Sequence, residues 1–348
     1  MKPEPAAGFW PNRLSLWILT LWVLWIPVPL GSNRPWAEAV LIILANLALL
    51  VWVIETTLKK QPIEVFKDSK LLIGLLMWLA WVGIQLLPLP MAVLATLSPI
   101  AADVWRAAGV TDFAPLSIDP YRTTSRWWLT ESYLAIVWVV LAVGVHSANR
   151  LWLLGCIAVC ATAQAFIGSL TLLSTDSWSW FGETIAVGGG ATGTYPSRNH
   201  FAGLMTLGGA ACFGLMVSGP GFVWGSRPLV WIRNAIDWLL SPKAIIRVML
   251  AIIVIGVVLS RSRLGLTSFF TALTVVGILL LIVARRTEHK RFWGLGALLF
   301  SIAVFDLWVV SNWFGLEKVV QRLEQTQIQN EGRAEVFPAF PAAVRQYL

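Results

Sequence analysis

The chain is organised around one segment, Thr194-Tyr195-Pro196-Ser197-Arg198-Asn199-His200-Phe201-Ala202-Gly203. An arginine, an asparagine and a histidine are adjacent there, immediately before the apolar run Phe201–Val217. A polar cluster at the start of such a run is typical of a helix that begins at a membrane surface.

The composition around this segment is that of a polytopic membrane protein. The 348 residues are 57% hydrophobic and 13% charged, whereas a soluble protein carries roughly a quarter charged residues. There are 21 Trp and 4 Tyr, and many of the Trp lie at the ends of apolar runs, as in the aromatic belts of membrane interfaces. The net charge of +8 is spread over the segments between runs rather than on one face, which excludes a nucleic-acid-binding function.

About nine apolar runs have spanning length or slightly less. We therefore predict an all-α protein. Residues 1–311 would form a polytopic transmembrane bundle of about nine helices, and residues 312–348 the incomplete start of an external loop domain. The predicted spans are Leu14–Leu30, Trp36–Ile54, Leu71–Leu87, Leu129–Val145, Leu151–Leu173, Phe201–Val217, Ala244–Leu259, Leu264–Ala284 and Phe292–Val310.

The distribution of Lys and Arg predicts the orientation. With the N-terminus in the cytoplasm, more than half of the 26 Lys and Arg fall on the cytoplasmic side. The tight turn Ser260–Arg263 and three long segments then lie outside. These segments are Pro88–Trp128, Ser174–Asn199 and Asn312–Leu348.

Two of the external segments have recognisable local patterns. Ser174–Asn199 contains Gly188–Gly190 and Gly193, which predict a mobile loop. In the last segment, Leu316–Gln325 has apolar residues at helical spacing, which predicts an amphipathic helix along the membrane surface.

Of the arginines in external segments, five lie next to outward helix starts or in the last external segment, against the orientation bias, and so need a separate explanation. Guanidinium groups bind phosphate oxygens through paired, charge-assisted hydrogen bonds. Two of the arginines also begin helices, whose free N–H groups and positive dipole ends favour an anion. The pattern predicts a pyrophosphate-binding cluster, and the alternative is that these side chains extend to lipid headgroups. The five are Arg198, Arg261, Arg263, Arg322 and Arg333.

His200 is adjacent to this cluster in sequence. It could act as a general base. No carboxylate is adjacent to orient it, so the alternative is a hydrogen-bonded residue at the membrane edge. The chain has no spacing typical of a metal site and no nucleotide-binding fingerprint. We therefore expect neither a metal nor another cofactor.

Four motifs resemble those of the O-antigen ligase and O-antigen polymerase family. Ser197–Gly203 resembles its Asn-Arg-Asn-His-Phe-Ala-Gly signature, and Ser262–Leu266 resembles its Ser-Arg-Gly-Gly-Leu turn. Leu116–Pro120 is similar to the Leu-Ser-x-Asp-Pro segment of its exopolysaccharide-polymerase-like members. Gln321–Arg333 resembles the start of the family's large external loop. The resemblance runs from about Pro29 to the end of the chain.

The resemblance implies a helical glycosyltransferase on the outer face of the bacterial inner membrane. Such proteins move a glycan from undecaprenyl pyrophosphate to lipid A–core, another glycan or a protein, without a metal. The resemblance assigns pyrophosphate binding to Arg198 and Arg263. It also identifies Asn199, His200 and Ser262 as motif residues. It also implies contact with membrane lipids, a cytoplasmic N-terminus and an external C-terminal end.

The chain departs from the family pattern in its last part. The family's loop continues to a His-Asn motif, whose histidine is thought to activate the acceptor hydroxyl, whereas this sequence stops at Leu348. We therefore expect a truncated sequence that lacks this histidine, and whether the chain is an active enzyme stays open. Two alternatives also stay open: a transporter or flippase for a lipid-linked glycan, and an inactive remnant. The polar residues that a transporter could use within the apolar runs are Gln85, Glu131, Gln164 and Asp306.

Overall fold

The computed structural model describes residues 13–58, 70–174, 178–185, 190–217 and 243–287. Over these residues the chain is mostly helical, with four short strands and a 3-10 turn at Leu30–Ser32. The helices are α1 (Leu14–Trp25), α2 (Pro35–Leu58), α3 (Lys70–Ile84), α4 (Met91–Leu97), α5 (Pro99–Ala107), α6 (Pro120–Val143), α7 (Ser147–Leu173), α8 (Arg198–Val217), α9 (Lys243–Leu259) and α10 (Arg263–Thr287). The strands are β1 (Pro88–Pro90), β2 (Phe113–Pro115), β3 (Trp178–Trp180) and β4 (Glu183–Ile185).

A helix lies at each predicted apolar run within the described residues. Three of them, α2, α6 and α7, are long and apolar enough to cross a membrane, which suggests membrane association. The ninth run, Phe292–Val310, lies outside the described residues. So do the helix predicted at Leu316–Gln325 and the predicted domain boundary after residue 311.

The largest difference in helix bounds is at α6, which begins at Pro120 rather than at Leu129. The reason is a local cap. The Asp119 carboxylate accepts a hydrogen bond from the Arg122 N–H at 3.0 Å, and proline at the first helical position is favoured because its missing N–H has no partner there anyway.

The described residues form two compact units, one of residues 13–58, 70–75, 128–174, 178–185, 190–217 and 243–287 and the other of residues 76–127. In the described part of the second unit, β1 pairs antiparallel with β2, and α4 and α5 lie between them in sequence. These strands and helices differ from the purely helical prediction, in which residues 88–128 were a connecting segment. Their small core consists of Met91, Leu94, Ala101, Ala102 and Ala114.

In the first unit, α7 packs against α1, α8 and α9, while α8 also packs against α9 and α10. Small residues allow the helix backbones to approach closely, as is typical of membrane helices. A Cβ added at Gly208 would lie 2.2 Å from the Cβ of Ala161, and one at Gly256 would lie 2.8 Å from that of Ala165. These contacts hold α8 and α9 close against α7.

Candidate functional site: two adjoining helix starts

The start of α8 is fixed by Ser197. Its hydroxyl accepts a hydrogen bond from the Asn199 N–H at 3.3 Å, and its carbonyl accepts one from the Phe201 N–H at 3.1 Å. This is the arrangement of a serine N-cap. Phe201 is fully buried, whereas Arg198, Asn199 and His200 form an exposed first turn.

The start of α10 is fixed by two further serines. The Ser262 hydroxyl accepts from the Gly265 N–H at 3.0 Å, and the Ser260 hydroxyl accepts from the Ser262 N–H at 3.2 Å. Between them, Arg261 has a φ of +51°, a left-handed conformation that is uncommon for a residue with a Cβ. Arg261 and Arg263 are both exposed.

One side-chain hydrogen bond joins the two helix starts. The Ser262 hydroxyl donates to Asn199 Oδ1 at 2.8 Å. The backbones are also close, because a Cβ added at Gly265 would lie 2.3 Å from the Cβ of Ala202. The structure therefore brings together the two predicted motifs, which are 63 residues apart.

The described part of the preceding loop packs against the turn between α9 and α10. The Ala191 N–H donates to the Leu259 carbonyl at 2.8 Å. Gly190 has a φ of +151°, and a Cβ there would lie 2.3 Å from the Ser260 carbonyl oxygen. In this part of the loop, glycine therefore permits a close backbone contact, and the predicted mobility of the loop stays a prediction.

Thr194 fastens the same loop to α7 and to the turn after α1. Its N–H donates to Gln164 Oε1 on α7 at 3.0 Å, and its hydroxyl donates to the Pro27 carbonyl after α1 and lies 3.2 Å from Gln164 Oε1. Next to it, the Tyr195 ring fills the space over Gly31, where a Cβ would lie 2.4 Å from ring atom Cδ1. Burial raises the pKa of the Tyr195 phenol, so this side chain is a neutral packing group.

Sequence reasoning did not identify Pro27, Gly31 and Thr194 as supports of the site. A partial signal was present, because Pro27-Val28-Pro29-Leu30-Gly31 is rich in residues that favour turns. Thr194, which bonds to this turn, lies more than 160 residues away in sequence. No local sequence pattern predicts a contact over that separation.

The electrostatics of the joined helix starts favour an anion. Each helix start presents free backbone N–H groups and the positive end of a helix dipole. Arg198 and Arg263 add positive charge at the first helical positions, which strengthens the attraction of these helix starts for an anion. Arg322 and Arg333, the other two predicted members, lie outside the described residues.

His200, the predicted base, is exposed on the first turn of α8, and its role as a base stays a prediction.

The Leu116–Pro120 motif leads into the cap of α6, where the Ser117 and Thr123 hydroxyls are 2.8 Å apart. Within the described ranges, no group of three His, Cys, Asp or Glu side chains could hold a metal ion.

Two of the polar side chains that a transporter could use have structural contacts. Gln164 holds the loop at Thr194, as described above, and Glu131 accepts a hydrogen bond from the Asn46 amide at 3.0 Å. At Gln85 the contact is one of the backbone, whose carbonyl accepts a hydrogen bond from the Ser117 N–H at 3.0 Å. Asp306 lies outside the described residues.

Comparison with known proteins found no family model, curated protein or solved structure that matches the chain. A functional assignment therefore depends on the chemistry of the joined helix starts and on the sequence motifs.

Proposed function

We propose that the chain is a membrane glycosyltransferase of the O-antigen ligase or polysaccharide polymerase type. It would transfer a glycan from undecaprenyl pyrophosphate to an acceptor such as lipid A–core, another glycan or a protein. The observation that carries the proposal is the 2.8 Å hydrogen bond between Ser262 and Asn199, because it unites the two arginine motifs in one place.

In this reaction the carrier pyrophosphate is the leaving group, and negative charge develops on its oxygens as the bond to the sugar breaks. Fixed cations and N–H groups that already point at those oxygens lower the barrier by electrostatic stabilisation. Arg198, Arg261 and Arg263 would bind the pyrophosphate. Arg322 and Arg333 would add positive charge from the external loop.

The proposed setting is the bacterial inner membrane, crossed about nine times, with the N-terminus in the cytoplasm. Alternate crossing puts the turn after α1, the loop before α8 and the turn between α9 and α10 on the outer side. Hydrogen bonds from Thr194 to Pro27 and from Ala191 to Leu259 join these three segments. These two hydrogen bonds support a position for all three segments on the same side of the membrane.

The test measures glycan transfer in cells whose only copy of the gene carries Arg198→Ala or Arg263→Ala. Loss of one fixed charge-stabilising donor typically costs about 100-fold or more in rate, so transfer should fall by that order at normal membrane levels. Arg150→Ala is the matched control. That arginine is also exposed and lies in the first turn of a helix, α7, but it donates to backbone carbonyls at the end of α6. Equal transfer by all three variants would contradict the proposal.

A second experiment separates transfer from transport. The chain is reconstituted in liposomes with lipid-linked glycan and acceptor supplied only on the outer face. A glycosyltransferase produces the transferred glycan there, whereas a transporter produces none and instead moves the carrier across the bilayer.

A further inference from the structure

Four aromatic side chains form a continuous cluster in the first unit, which we call the aromatic platform: Trp25, Trp36, Trp180 and Phe181. Ring centroids are 6.2 Å apart between Trp25 and Trp36, 5.4 Å between Trp36 and Phe181, and 5.7 Å between Trp180 and Phe181. Edge-on and tilted contacts at these distances are attractive. The platform is thus a packed surface in which each ring supports the next.

Two rings of the platform remain available to a ligand. Trp36 is 45% exposed and Phe181 is 52% exposed. Phe181 and Gly182 form the two-residue turn between β3 and β4, with φ values of +50° and +79°. A hairpin turn of this kind favours Asn or Gly at the first position, and left-handed backbone is costly for a residue with a Cβ. Strain of this kind is often retained at ligand-binding sites.

The platform adjoins the supports of the arginine cluster. The Trp180 indole N–H donates to the Val28 carbonyl at 2.6 Å. The preceding carbonyl, that of Pro27, accepts from the Thr194 hydroxyl, and Thr194 lies four residues before Arg198. One turn, between α1 and α2, therefore connects the platform to the loop that leads into the anion-binding helix start.

We propose that the aromatic platform binds sugar rings of the lipid-linked glycan whose pyrophosphate binds at the arginine cluster. This inference rests on the proposed function above. A pyranose ring has a face of C–H groups that packs on an aromatic ring while its hydroxyls stay hydrated, so a half-exposed ring suits it. The aromatic residues of membrane belts serve as anchors at the headgroup level. Here the rings are packed on one another and bonded to the turn that also holds the loop before α8.

The experiment measures binding to the full chain in lipid nanodiscs with two probes. One is undecaprenyl pyrophosphate that carries the native oligosaccharide, purified from the cells that express the chain; the other is bare undecaprenyl pyrophosphate. Trp36→Ala and Phe181→Ala should each weaken binding of the glycan-bearing probe by about 5- to 10-fold, as loss of one stacked ring predicts. Binding of the bare probe should not change, and it also reports that the variant is folded.

Two further variants serve as controls. Trp78→Ala removes another half-exposed tryptophan, from α3 and 53% exposed, and should change the binding of neither probe. Trp36→Tyr keeps an aromatic ring and should retain most of the preference for the glycan-bearing probe.

An unchanged ratio of the two affinities in Trp36→Ala and Phe181→Ala would overturn the inference and identify the platform as a membrane anchor. The proposed function is tested separately by Arg263→Ala, which should weaken binding of both probes together. If Arg263→Ala bound both probes normally, the pyrophosphate site itself would be refuted.

Discussion

Two turns of the first unit connect neighbouring helices and have arginine in them or next to them, yet the arginine has a different role in each. At the turn between α6 and α7, Arg150 lies in the first turn of α7, and its guanidinium donates to the carbonyls of Gly144 and Val145 at 2.6 and 2.9 Å. In the turn between α9 and α10, the Ser260 and Ser262 hydroxyls bond to backbone N–H groups, at Ser262 and Gly265 respectively.

The difference follows from the polarity of the helix end. A helix C-terminus presents unpaired carbonyls, and a guanidinium satisfies them and the dipole together. A helix N-terminus presents N–H groups, which need an acceptor, so serine caps it and an arginine there adds unfavourable positive charge. Arg150, whose guanidinium caps the end of α6, thus contributes to the fold. Arg261 and Arg263, at the start of α10, are explained better by an external anion.

The largest expected effect concerns the loop contact that holds the turn between α9 and α10 in place. Gly190→Ala should lower the free energy of unfolding by about 3 kcal/mol, because its Cβ would overlap the Ser260 carbonyl oxygen. SDS-induced unfolding in mixed micelles measures this. Gly155→Ala on α7, where a Cβ would meet nothing within 4 Å, should be neutral or stabilising. Equal stability of the two variants would show that the loop does not brace the turn.

The next prediction compares the arginines directly. Arg150→Ala should destabilise by about 1–2 kcal/mol, since it leaves helix-end carbonyls without a charged donor. Arg263→Ala should instead stabilise slightly, by about 0.3–1 kcal/mol, because it removes a cation from a helix N-terminus. The same unfolding assay at low salt measures both changes. Changes of the same sign would contradict the distinction between the two turns.

Ser262 allows capping and anion binding to be separated. Ser262→Ala should cost about 1 kcal/mol of stability through loss of the cap. Ser262→Asp keeps an acceptor for the Gly265 N–H, loses the donor to Asn199 Oδ1 as Ser262→Ala does, and adds negative charge beside Arg263, so binding of undecaprenyl pyrophosphate should weaken more than in Ser262→Ala. Calorimetry in nanodiscs measures the affinity. Unweakened binding by Ser262→Asp in a folded protein would argue against an anion site at this turn.

The smallest expected effect concerns the backbone of Arg261. Arg261→Gly should stabilise the chain by at most about 1 kcal/mol, because glycine adopts a φ of +51° without the penalty of a Cβ. Binding of the pyrophosphate probe should weaken at the same time, if this residue contributes its charge. A variant that is more stable and binds equally well would assign Arg261 no part in the site.

Much of the helical framework follows from the sequence, and the sheet elements do not. α2 and α7 match their predicted runs within a few residues, because long apolar composition alone favours helices of that length. The pairing of β1 with β2 was missed, since strands of three residues are too short to show an alternating pattern. The cap at Asp119 could have been recognised from an acidic residue before proline.

The arginine motifs were found from their residue types, while their juxtaposition was a hypothesis. Their position at helix starts can be inferred locally from the serine and the apolar run that follows. The hydrogen bond from Ser262 to Asn199, the contact of Trp180 with Val28 and the packing of Tyr195 over Gly31 depend on how α1, α7, α8 and α10 pack.

By itself, the sequence determined that Thr194–Gly203 is a polar segment leading into an apolar helix, and that its arginine lies at the helix start. Tertiary structure alone decided that a second arginine-bearing helix start lies beside it, with an aromatic cluster next to its supporting turn. The physical reason is that helix formation and capping depend on a few neighbouring residues. The approach of helices far apart in sequence depends on which small residues let their backbones meet, such as Gly265 against Ala202.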